Sequence, residues 1–421
     1  MSEQAEQSEA PVLHLFEGVG IELEYMLVNM VSLDVQTDVD QLIAAKTGNF
    51  GDGDYEAGAI AWSNELTAHV VEFKTNGPAE SLVGLAQAFQ AQVRDANAVA
   101  RTLISKLMPG GMHPWMNPMR EMKLWPHEFN EVYSAYNKIY DCRGQGWANL
   151  QSMHINLPFN GSDEFGRLHA AIRLVLPIIS AISASSPVME GKLTGISDSR
   201  LEVYRTNSTR VPLATAQVIP EQVFSPEEYQ SEILAPLYAQ LAPHDPSGIL
   251  QHEYANSRGA IARFDRDAIE IRVIDIAECP AADMAIASLV IGAVRALVEE
   301  RHASYEQQKT WQVAPLAQLF IDCVKSGGET VIRDADYLAL FGIDATSIRA
   351  LDLWREISDR AEPVENDVEE IRETILAEGS LSHRLTQALG TSASREELHS
   401  VWSQLAQALA EGKLFNANST A

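Results

Sequence analysis

Apolar and polar residues alternate along a short stretch after Gly18, and this pattern predicts a half-buried β-strand. Residues 21, 23, 25 and 27 are Ile, Leu, Tyr and Leu, whereas the even positions begin with Glu22 and Glu24. Both carboxylates therefore point to one face, about 6.6 Å apart at the rise of a strand. Similar strand patterns occur in residues 64–78, 151–158 and 269–275.

Carboxylates that share a half-buried face repel each other unless a cation lies between them. Mg²⁺ is the natural candidate, because it prefers oxygen ligands and retains waters that a phosphate can displace. An edge strand with a solvated polar face explains the same pattern equally well. In residues 64–78, one glutamate has an odd number (Glu65) and the other an even number (Glu72), so a regular strand would point them to opposite faces. Both reach one site only if a bulge or turn follows Glu65.

Three other segments carry polar residues that could complete a site. One strand places His154 and Asn156 on one face, and another places Glu270 beside Arg272. A structural histidine and a structural ion pair remain plain alternatives. Residues 185–212 contain several arginines, a pattern that fits either a solvated loop or guanidinium groups that bind phosphate or carboxylate.

Apolar residues at helical spacing predict long helices around the strands and further helices towards the C-terminus. The long ones cover residues 81–107, 165–183 and 283–301, and the later ones cover residues 348–360, 368–378, 381–389 and 395–411. We predict a disordered tail (1–10), a catalytic domain (11–312) and a helical C-terminal region packed on it (313–421). The last region is assigned to packing, a lid or the contacts of a homo-oligomer.

Composition narrows the function classes. The 421 residues carry a formal net charge of −27, which argues against general binding to nucleic acid or to an anionic membrane. Three scattered cysteines form no CxxC pair, no apolar run is expected to span a membrane, and the first ten residues do not look like a secretory signal. A cytoplasmic enzyme fits these features. The phosphate-binding pattern GxxxxGK[ST] is absent from the sequence.

Several short motifs occur in a fixed order between residues 18 and 301. They are Gly20-Ile21-Glu22-Leu23-Glu24, Glu65 with Glu72, Gly111-Met112-His113-Pro114, Met153-His154-Ile155-Asn156, Ser183 to Pro187 with Glu190, Gly191, Gly195 and Arg200, and Glu270-Ile271-Arg272-Val273. The ordered set resembles the type 2 glutamate–cysteine ligase family, the carboxylate–amine ligases of the glutamine-synthetase fold. The resemblance implies an α+β fold, in which a curved, mainly antiparallel sheet holds the active site on its concave face with helices outside.

The resemblance also implies ATP as a substrate, two or three Mg²⁺ (or Mn²⁺) ions, and an acyl-phosphate mechanism. Matched by position, the implied metal ligands are Glu22, Glu24, Glu65, Glu72, His154 and Glu270. The implied catalytic residues are Arg200, Arg272 and Glu24, and the implied substrate- or ATP-binding residues are Arg205, Arg263, Gln151 and Asn156. The sequence departs from the family at Asn156, where many members have a second histidine followed by glycine.

The function expected from these features is ATP-dependent ligation of a carboxylate, such as the γ-carboxylate of glutamate, to cysteine or another small amine. Clustered carboxylates and opposing arginines suit this chemistry, because the protein must hold polyanions together and neutralise charge on the transferred phosphoryl group. A guanido or amine kinase on the same fold is the first alternative. A non-catalytic nucleotide-binding or scaffold protein is the second.

Overall fold

The computed structural model describes residues 12–361 and 364–416; the predicted disordered tail, residues 1–10, lies outside them. The strands are β1 (Gly20–Asn29), β2 (Asp54–Ala57), β3 (Ile60–Asn64), β4 (Val70–Thr75), β5 (Ser105–Met108), β6 (Ser152–Pro158), β7 (Val188–Met189), β8 (Lys192–Leu193), β9 (Ala260–Arg263), β10 (Ala268–Asp275), β11 (Val331–Ile332) and β12 (Ile348–Arg349). Eight of them form one sheet in the order β2-β3-β4-β1-β6-β10-β9, with β5 paired to β1. All of its strand pairs are antiparallel.

The predicted strand around Glu22 is the centre of this sheet. Ile21, Leu23 and Tyr25 are fully buried in the main hydrophobic core. The same core contains apolar residues of the helices that cover this face of the sheet. The even positions therefore face the opposite side, where Glu22 and Glu24 lie.

The helices are α1 (Val39–Thr47), α2 (Leu85–Thr102), α3 (Pro118–Glu121), α4 (Asn130–Tyr140), α5 (Gln145–Ala148), α6 (Gly161–Val175), α7 (Ser180–Ser183), α8 (Ser199–Tyr204), α9 (Pro226–Tyr229), α10 (Ala235–Leu241), α11 (Pro280–Val298), α12 (Tyr305–Lys309), α13 (Val313–Ser326), α14 (Ala335–Ala339), α15 (Ala350–Arg360), α16 (Glu369–Glu378), α17 (Leu381–Leu389) and α18 (Arg395–Glu411). Short 3₁₀ turns (Leu176–Ile178, Glu253–Ala255, Gly327–Glu329) and one π-helical turn (Gln230–Leu234) connect some of them. The α+β class predicted from the sequence is confirmed.

Several predicted elements have different boundaries in the structure, and two of them include segments of another type. The strand expected over residues 64–78 is the end of β3, a turn, and then β4. The helix expected over residues 81–107 begins at Leu85, after Gly84 in a left-handed conformation, and ends at Thr102; Leu107 belongs to β5. Asn97 on α2 accepts a hydrogen bond from the Leu107 backbone, so β5 packs back against the helix that precedes it.

The C-terminal helices share the core of the sheet. Leu316 and Phe320 of α13 and Trp354 of α15 lie in the same hydrophobic cluster as Ile21 of β1. The sequence did not predict the small β11–β12 ribbon between these helices. The predicted boundary between the catalytic domain and the C-terminal region, at residue 312, therefore does not divide the hydrophobic core. The division of the chain into these two domains stays a prediction.

One helix requires a correction to the expectation about membrane spans. Pro280–Val298 is long and apolar enough to cross a membrane, with a mean hydropathy of 1.8. However, 78% of that stretch is buried inside the protein, where it packs against α2 and α6. Its hydrophobicity is that of a core helix.

Candidate active site

Strand register brings four of the predicted metal ligands together on the face of the sheet opposite Ile21, Leu23 and Tyr25. Glu24 lies opposite Glu72 of β4, and Glu22 lies opposite His154 of β6. Residues that oppose each other in an antiparallel pair point to the same face. The alternation seen in the sequence therefore places these side chains in one cluster.

Glu65 joins the cluster because the chain turns after it, as its odd position relative to Glu72 requires. β3 ends at Asn64 and β4 begins at Val70, so Glu65 lies in the connection and is not bound by the alternation of either strand. Its carboxylate reaches a group formed with Glu24 and Glu72. The predicted turn after Glu65 is thus present.

Two groups of side chains in this cluster could each hold a metal ion. One comprises Glu22, Glu72 and His154, and the other comprises Glu24, Glu65 and Glu72; in each group the candidate ligand atoms lie within 4.8 Å of one another. Carboxylate oxygens with one imidazole suit Mg²⁺ or Mn²⁺. Because Glu72 belongs to both groups, two ions held here would share a ligand, as in two-metal sites.

Hydrogen bonds orient these ligands. The Ser152 backbone N–H and hydroxyl both donate to Glu24 Oε2, over 2.7 and 3.0 Å. The Ser63 hydroxyl donates to Glu72 Oε1 over 2.7 Å. Such contacts fix the direction in which a carboxylate presents its remaining lone pairs.

The charges of the cluster perturb one another. Burial and the charge of Glu22 raise the pKa of Glu72 to about 7, and burial with the charges of Glu72 and Glu24 raises the pKa of Glu65 well above its usual range. Burial alone would lower the pKa of His154, but the hydrogen bond with Glu22 and the neighbouring carboxylates raise it to about 9. This excess of negative charge is what bound cations would neutralise.

Glu270, the sixth predicted metal ligand, lies at the edge of the cluster and is paired with arginines. Its carboxylate lies 3.8 Å from His154 Nδ1, 3.2 Å from Arg272 Nε and 3.2 Å from Arg263 Nη1. Arg263 also contacts both carboxylate oxygens of Asp265. Glu270 thus links the carboxylate cluster to Arg272, a predicted catalytic residue, and to Arg263, a predicted substrate- or ATP-binding residue.

Arg200 is almost completely buried and is held by a residue that the sequence analysis did not select. Its Nε donates to Asp275 Oδ1, while Asp275 Oδ2 accepts from the Ser185 backbone N–H over 2.8 Å and the Ser186 hydroxyl over 2.7 Å. Burial of Arg200 disfavours its charge, but the Asp275 carboxylate outweighs this effect and raises its pKa. Asp275 therefore positions Arg200.

Two cavities border the cluster. The aromatic cavity, of about 400 Å³, is lined by Glu24, Glu65, His154, Arg200, Arg272 and a set of aromatic rings. The strand-end cavity, of about 570 Å³, is lined by Glu22, Lys74, Asn156 and Arg266, at the ends of β4 and β6 and the starts of β1 and β10. The carboxylates therefore separate two spaces large enough for small molecules.

Comparison with known proteins identifies the family. The family model described as glutamate-cysteine ligase family 2 (GCS2) matches residues 18–399. The chain belongs to this family. Family 2 membership confirms the resemblance found in the sequence, and it indicates an enzyme that forms amide bonds.

Individual relatives are distant. An uncharacterized protein of Archaeoglobus fulgidus is 29% identical over 399 residues, covering 94% of this chain and 100% of that protein. A Rubrobacter xylanophilus protein, provisionally named glutamate–cysteine ligase 2-3, is 27% identical over 190 residues, covering 44% of this chain and 48% of its own. The matched region is thus about half the length of that relative.

A solved structure supports the fold. The bifunctional glutathione synthetase from Pasteurella multocida matches with a TM-score of 0.54 at 15% identity, covering 94% of this chain and 52% of that chain. At this identity the likeness concerns the fold alone. It agrees with the curved, mainly antiparallel sheet predicted from the sequence.

Not every residue predicted for this GCS2 site lies in it. Arg205 is paired through Nε and Nη2 with Glu202 of its own helix α8 and does not line either cavity. Gln151 is buried, and its amide nitrogen has no hydrogen-bond partner within the described residues. Substrate binding by Arg205 and by Gln151 remains a prediction.

Asn156, the departure from the family pattern, lies beside the cluster. Its Nδ2 donates to Glu22 Oε1 over 3.0 Å, while its Oδ1 is buried without a partner in the part of the chain that the structure describes. Gly20 is the residue opposite Asn156, and a Cβ atom on it would lie only 3.0 Å from Asn156 Cβ. Glycine at position 20 therefore avoids a steric clash with the Asn156 side chain. Asn156 can orient Glu22 through this hydrogen bond.

Proposed function

We propose that this protein is an ATP- and Mg²⁺- (or Mn²⁺-) dependent carboxylate–amine ligase. It activates the γ-carboxylate of glutamate, or of a similar acid, as an acyl phosphate that an amine then attacks. The observation that carries the proposal is the sharing of Glu72 between two metal-binding groups that lie between two cavities. Such a site can bring a nucleotide and an acid to one point from opposite sides.

We assign the nucleotide to the strand-end cavity and the acid and amine to the aromatic cavity. Lys74 and Arg266 supply positive charge to the first, next to Glu22. Arg200 and Arg272 line the second, where a carboxylate and the transferred phosphoryl group need cationic partners. When bound, the metal ions would neutralise phosphate charge and act as Lewis acids.

The chain's residues divide this work. The carboxylates of Glu22, Glu24, Glu65 and Glu72, with His154, hold the cations, and Glu270 orients Arg272 and Arg263. Arg200, fixed by Asp275, neutralises charge from a buried position. The substrates are small molecules, and we place the enzyme in the cytoplasm, an assignment supported by three free, buried cysteines.

Trapping of the activated acid tests the proposal. The enzyme is incubated with ATP, Mg²⁺, glutamate and hydroxylamine, a small nucleophile that intercepts acyl phosphates without a specific amine site. We expect γ-glutamyl hydroxamate and ADP. In parallel, glutamate labelled with ¹⁸O in its γ-carboxylate should transfer one label to inorganic phosphate during turnover.

The two alternatives give different results. A guanido or amine kinase yields a stable phosphorylated product and no hydroxamate, and a nucleotide-binding scaffold yields neither. Glu24→Gln serves as the control for contaminating ligases, since it should abolish hydroxamate formation. Turnover of glutamate without label in the phosphate would exclude the acyl phosphate even if an amide is formed.

A further inference from the structure

The aromatic cavity is more apolar than binding of glutamate and a small polar amine requires. Six aromatic side chains from four separate segments line it: Phe129, Tyr133, Tyr136, Trp147, Tyr204 and Tyr254. Leu66, Val70, Val132 and Leu150 fill the spaces between them. Because the aromatic residues come from different parts of the chain, their convergence is not the apolar face of a single helix.

The polar ends of four of these rings already have partners in the protein. Hydrogen bonds run from Tyr136 Oη to the Tyr254 carbonyl (2.9 Å), from Tyr204 Oη to the Ser257 carbonyl (2.8 Å), from Tyr254 Oη to the Ile249 carbonyl (2.6 Å) and from Trp147 Nε1 to the Asn207 carbonyl (3.0 Å). Each of these rings has thus donated its polar hydrogen elsewhere. They offer a ligand carbon surface and π-electron density.

Packing against neighbouring rings holds two of the six rings, Tyr136 and Trp147, in place. Trp147 lies 5.6 Å from Tyr136 and is stacked 4.8 Å from Tyr140, measured between ring centroids. Tyr136 is itself stacked on Tyr140 at 6.0 Å. This part of the wall is preorganised, so a flat ligand binds to it at little cost in ordering entropy.

Phe129 extends the apolar surface to solvent. It is 51% exposed, and it adopts a left-handed backbone conformation (φ 66°) immediately before α4. A bulky residue with positive φ is uncommon, and an exposed phenylalanine beside a cavity gains from being covered by a ligand. Both features are consistent with a role in binding.

The charged groups in the cavity suit activation of the acid, the first step of the proposed reaction. Among the described residues that line it, these are Glu24, Glu65, His154, Arg200 and Arg272. They suit the metals, the phosphoryl group and the acid, and they leave the aromatic wall for the amine. An amine as small as cysteine would leave the wall largely uncovered, and an aliphatic diamine would place its second charge against the apolar rings.

We propose that the amine acceptor is a primary amine that carries an aromatic or similarly flat apolar group, bound against these six rings. The inference rests on the proposed function, because it assigns the second substrate of that reaction. The amine nitrogen forms the amide bond to the acyl carbon, and the bond from that carbon to the phosphate oxygen breaks. Inorganic phosphate leaves, and the nitrogen loses its proton to phosphate or water.

The test compares amines at saturating ATP, Mg²⁺ and glutamate, using the full chain. The probes are 2-phenylethylamine and tyramine against ethylamine, cysteine and putrescine, with amide formation measured by mass spectrometry. We expect kcat/KM for the two aromatic amines to exceed that for each of the others by at least about ten-fold, the factor that 1.4 kcal/mol represents. Hydroxylamine trapping is run on the same preparation.

Variants separate the wall from the rest of the protein. Tyr254→Leu should lower the ratio of kcat/KM for 2-phenylethylamine to that for ethylamine by about five-fold or more. Tyr305→Leu, which removes a ring that does not line the cavity, should leave this ratio unchanged. The ratio is read within each variant, so a partial loss of folded protein does not affect it.

The outcomes distinguish failure of the aromatic-amine assignment from failure of the proposed ligase function. Hydroxamate formation with a preference for cysteine, ethylamine or putrescine overturns the aromatic amine and leaves the ligase standing. An unchanged ratio in Tyr254→Leu also overturns it. No hydroxamate in any reaction overturns the ligase and, with it, the amine assignment.

Discussion

Gly111 lies directly against Asp275, the residue that holds Arg200. A Cβ atom at Gly111 would be 2.5 Å from the carboxylate carbon of Asp275, closer than unbonded carbons approach. Asp275 has no freedom to withdraw, because Ser185, Ser186 and Arg200 all donate to its two oxygens. The missing side chain of Gly111 is therefore a condition for the position of Arg200.

We predict that Gly111→Ala displaces Asp275 and lowers both stability and rate. Overpacking of this kind costs about 1–3 kcal/mol, and a weakened ion pair around buried Arg200 adds to it. Urea unfolding and kcat for hydroxamate formation measure the two effects. Gly144→Ala is the matched control, since a Cβ there meets nothing within 4 Å. Equal unfolding midpoints for Gly111→Ala and wild type would contradict the argument.

Asp275 shows why part of the site escaped sequence analysis. Strict alternation puts residues 270 and 275 on opposite faces of β10, yet Glu270 pairs with Asn156 and Asp275 pairs with Ser152, both on the same face of β6. A bulge between Ile271 and Ile274 changes the parity within the strand. Nothing in the local sequence marks the position of this bulge.

The carboxylate cluster could be predicted because alternation puts its strand residues on shared faces and the family resemblance assigns those faces to one site. Glu22, Glu24 and His154 lie on regular strands, and the parity of Glu65 and Glu72 required the turn that is present. The aromatic wall could not, because it combines residues from α4, α5, α8 and a 3₁₀ turn that lie far apart in the chain. Such convergence is a property of tertiary packing, which single-segment patterns do not encode.

Glu24→Gln should weaken metal binding without unfolding the protein. Glutamine keeps an oxygen that can accept from Ser152, and it removes one of the mutually repelling charges. We expect the free energy of unfolding without metal to change by less than about 1 kcal/mol. The rise in Tm on adding Mg²⁺ should become smaller, because one of the two candidate metal groups loses a ligand while Glu22, Glu72 and His154 are intact.

The rate of hydroxamate formation in Glu24→Gln should fall by at least about one hundred-fold, given that even residues supporting a metal ligand cost 10–100-fold. The control is Glu56→Gln, an exposed glutamate on β2. A Mg²⁺-dependent rise in Tm as large in Glu24→Gln as in wild type would remove this residue from the proposed ligand set.

Arg272→Lys should separate the effect of the paired guanidinium donors from the effect of the positive charge. Arg272 lies 3.2 Å from Glu270 through Nε, and lysine keeps the positive charge but not the paired donors. We expect kcat to fall by about ten-fold or more, since a charged hydrogen bond contributes about 1.5–3 kcal/mol. Arg143→Lys, at an exposed pair with Asp141, provides the comparison. Identical kinetics for Arg272→Lys and wild type would assign Arg272 a structural role.

His169 gives the fold a specific sensitivity to acid. Its side chain on α6 is completely buried, stacked on Phe165 at 5.5 Å and packed edge-on against Tyr229. Burial, with the charge of Arg173, lowers its pKa to about 3. In the unfolded chain the same imidazole takes up a proton near pH 6.5.

Below pH 6.5 the unfolded state therefore binds more protons at this residue than the folded state does. Protonation of the unfolded chain lowers the free energy of unfolding, so the stability contributed by neutral His169 is complete above pH 6.5 and falls as the pH drops towards 3. Between pH 7.5 and 5 we expect a loss on the order of 2 kcal/mol, from about 1.4 kcal/mol per pH unit. His169→Phe keeps an aromatic ring beside Phe165 and removes the titration, so its loss over this range should be smaller by that amount. Urea unfolding at both pH values measures the difference, with exposed His244→Gln as the control. If His169→Phe lost as much stability as wild type between pH 7.5 and 5, the acid sensitivity would have to arise from other groups.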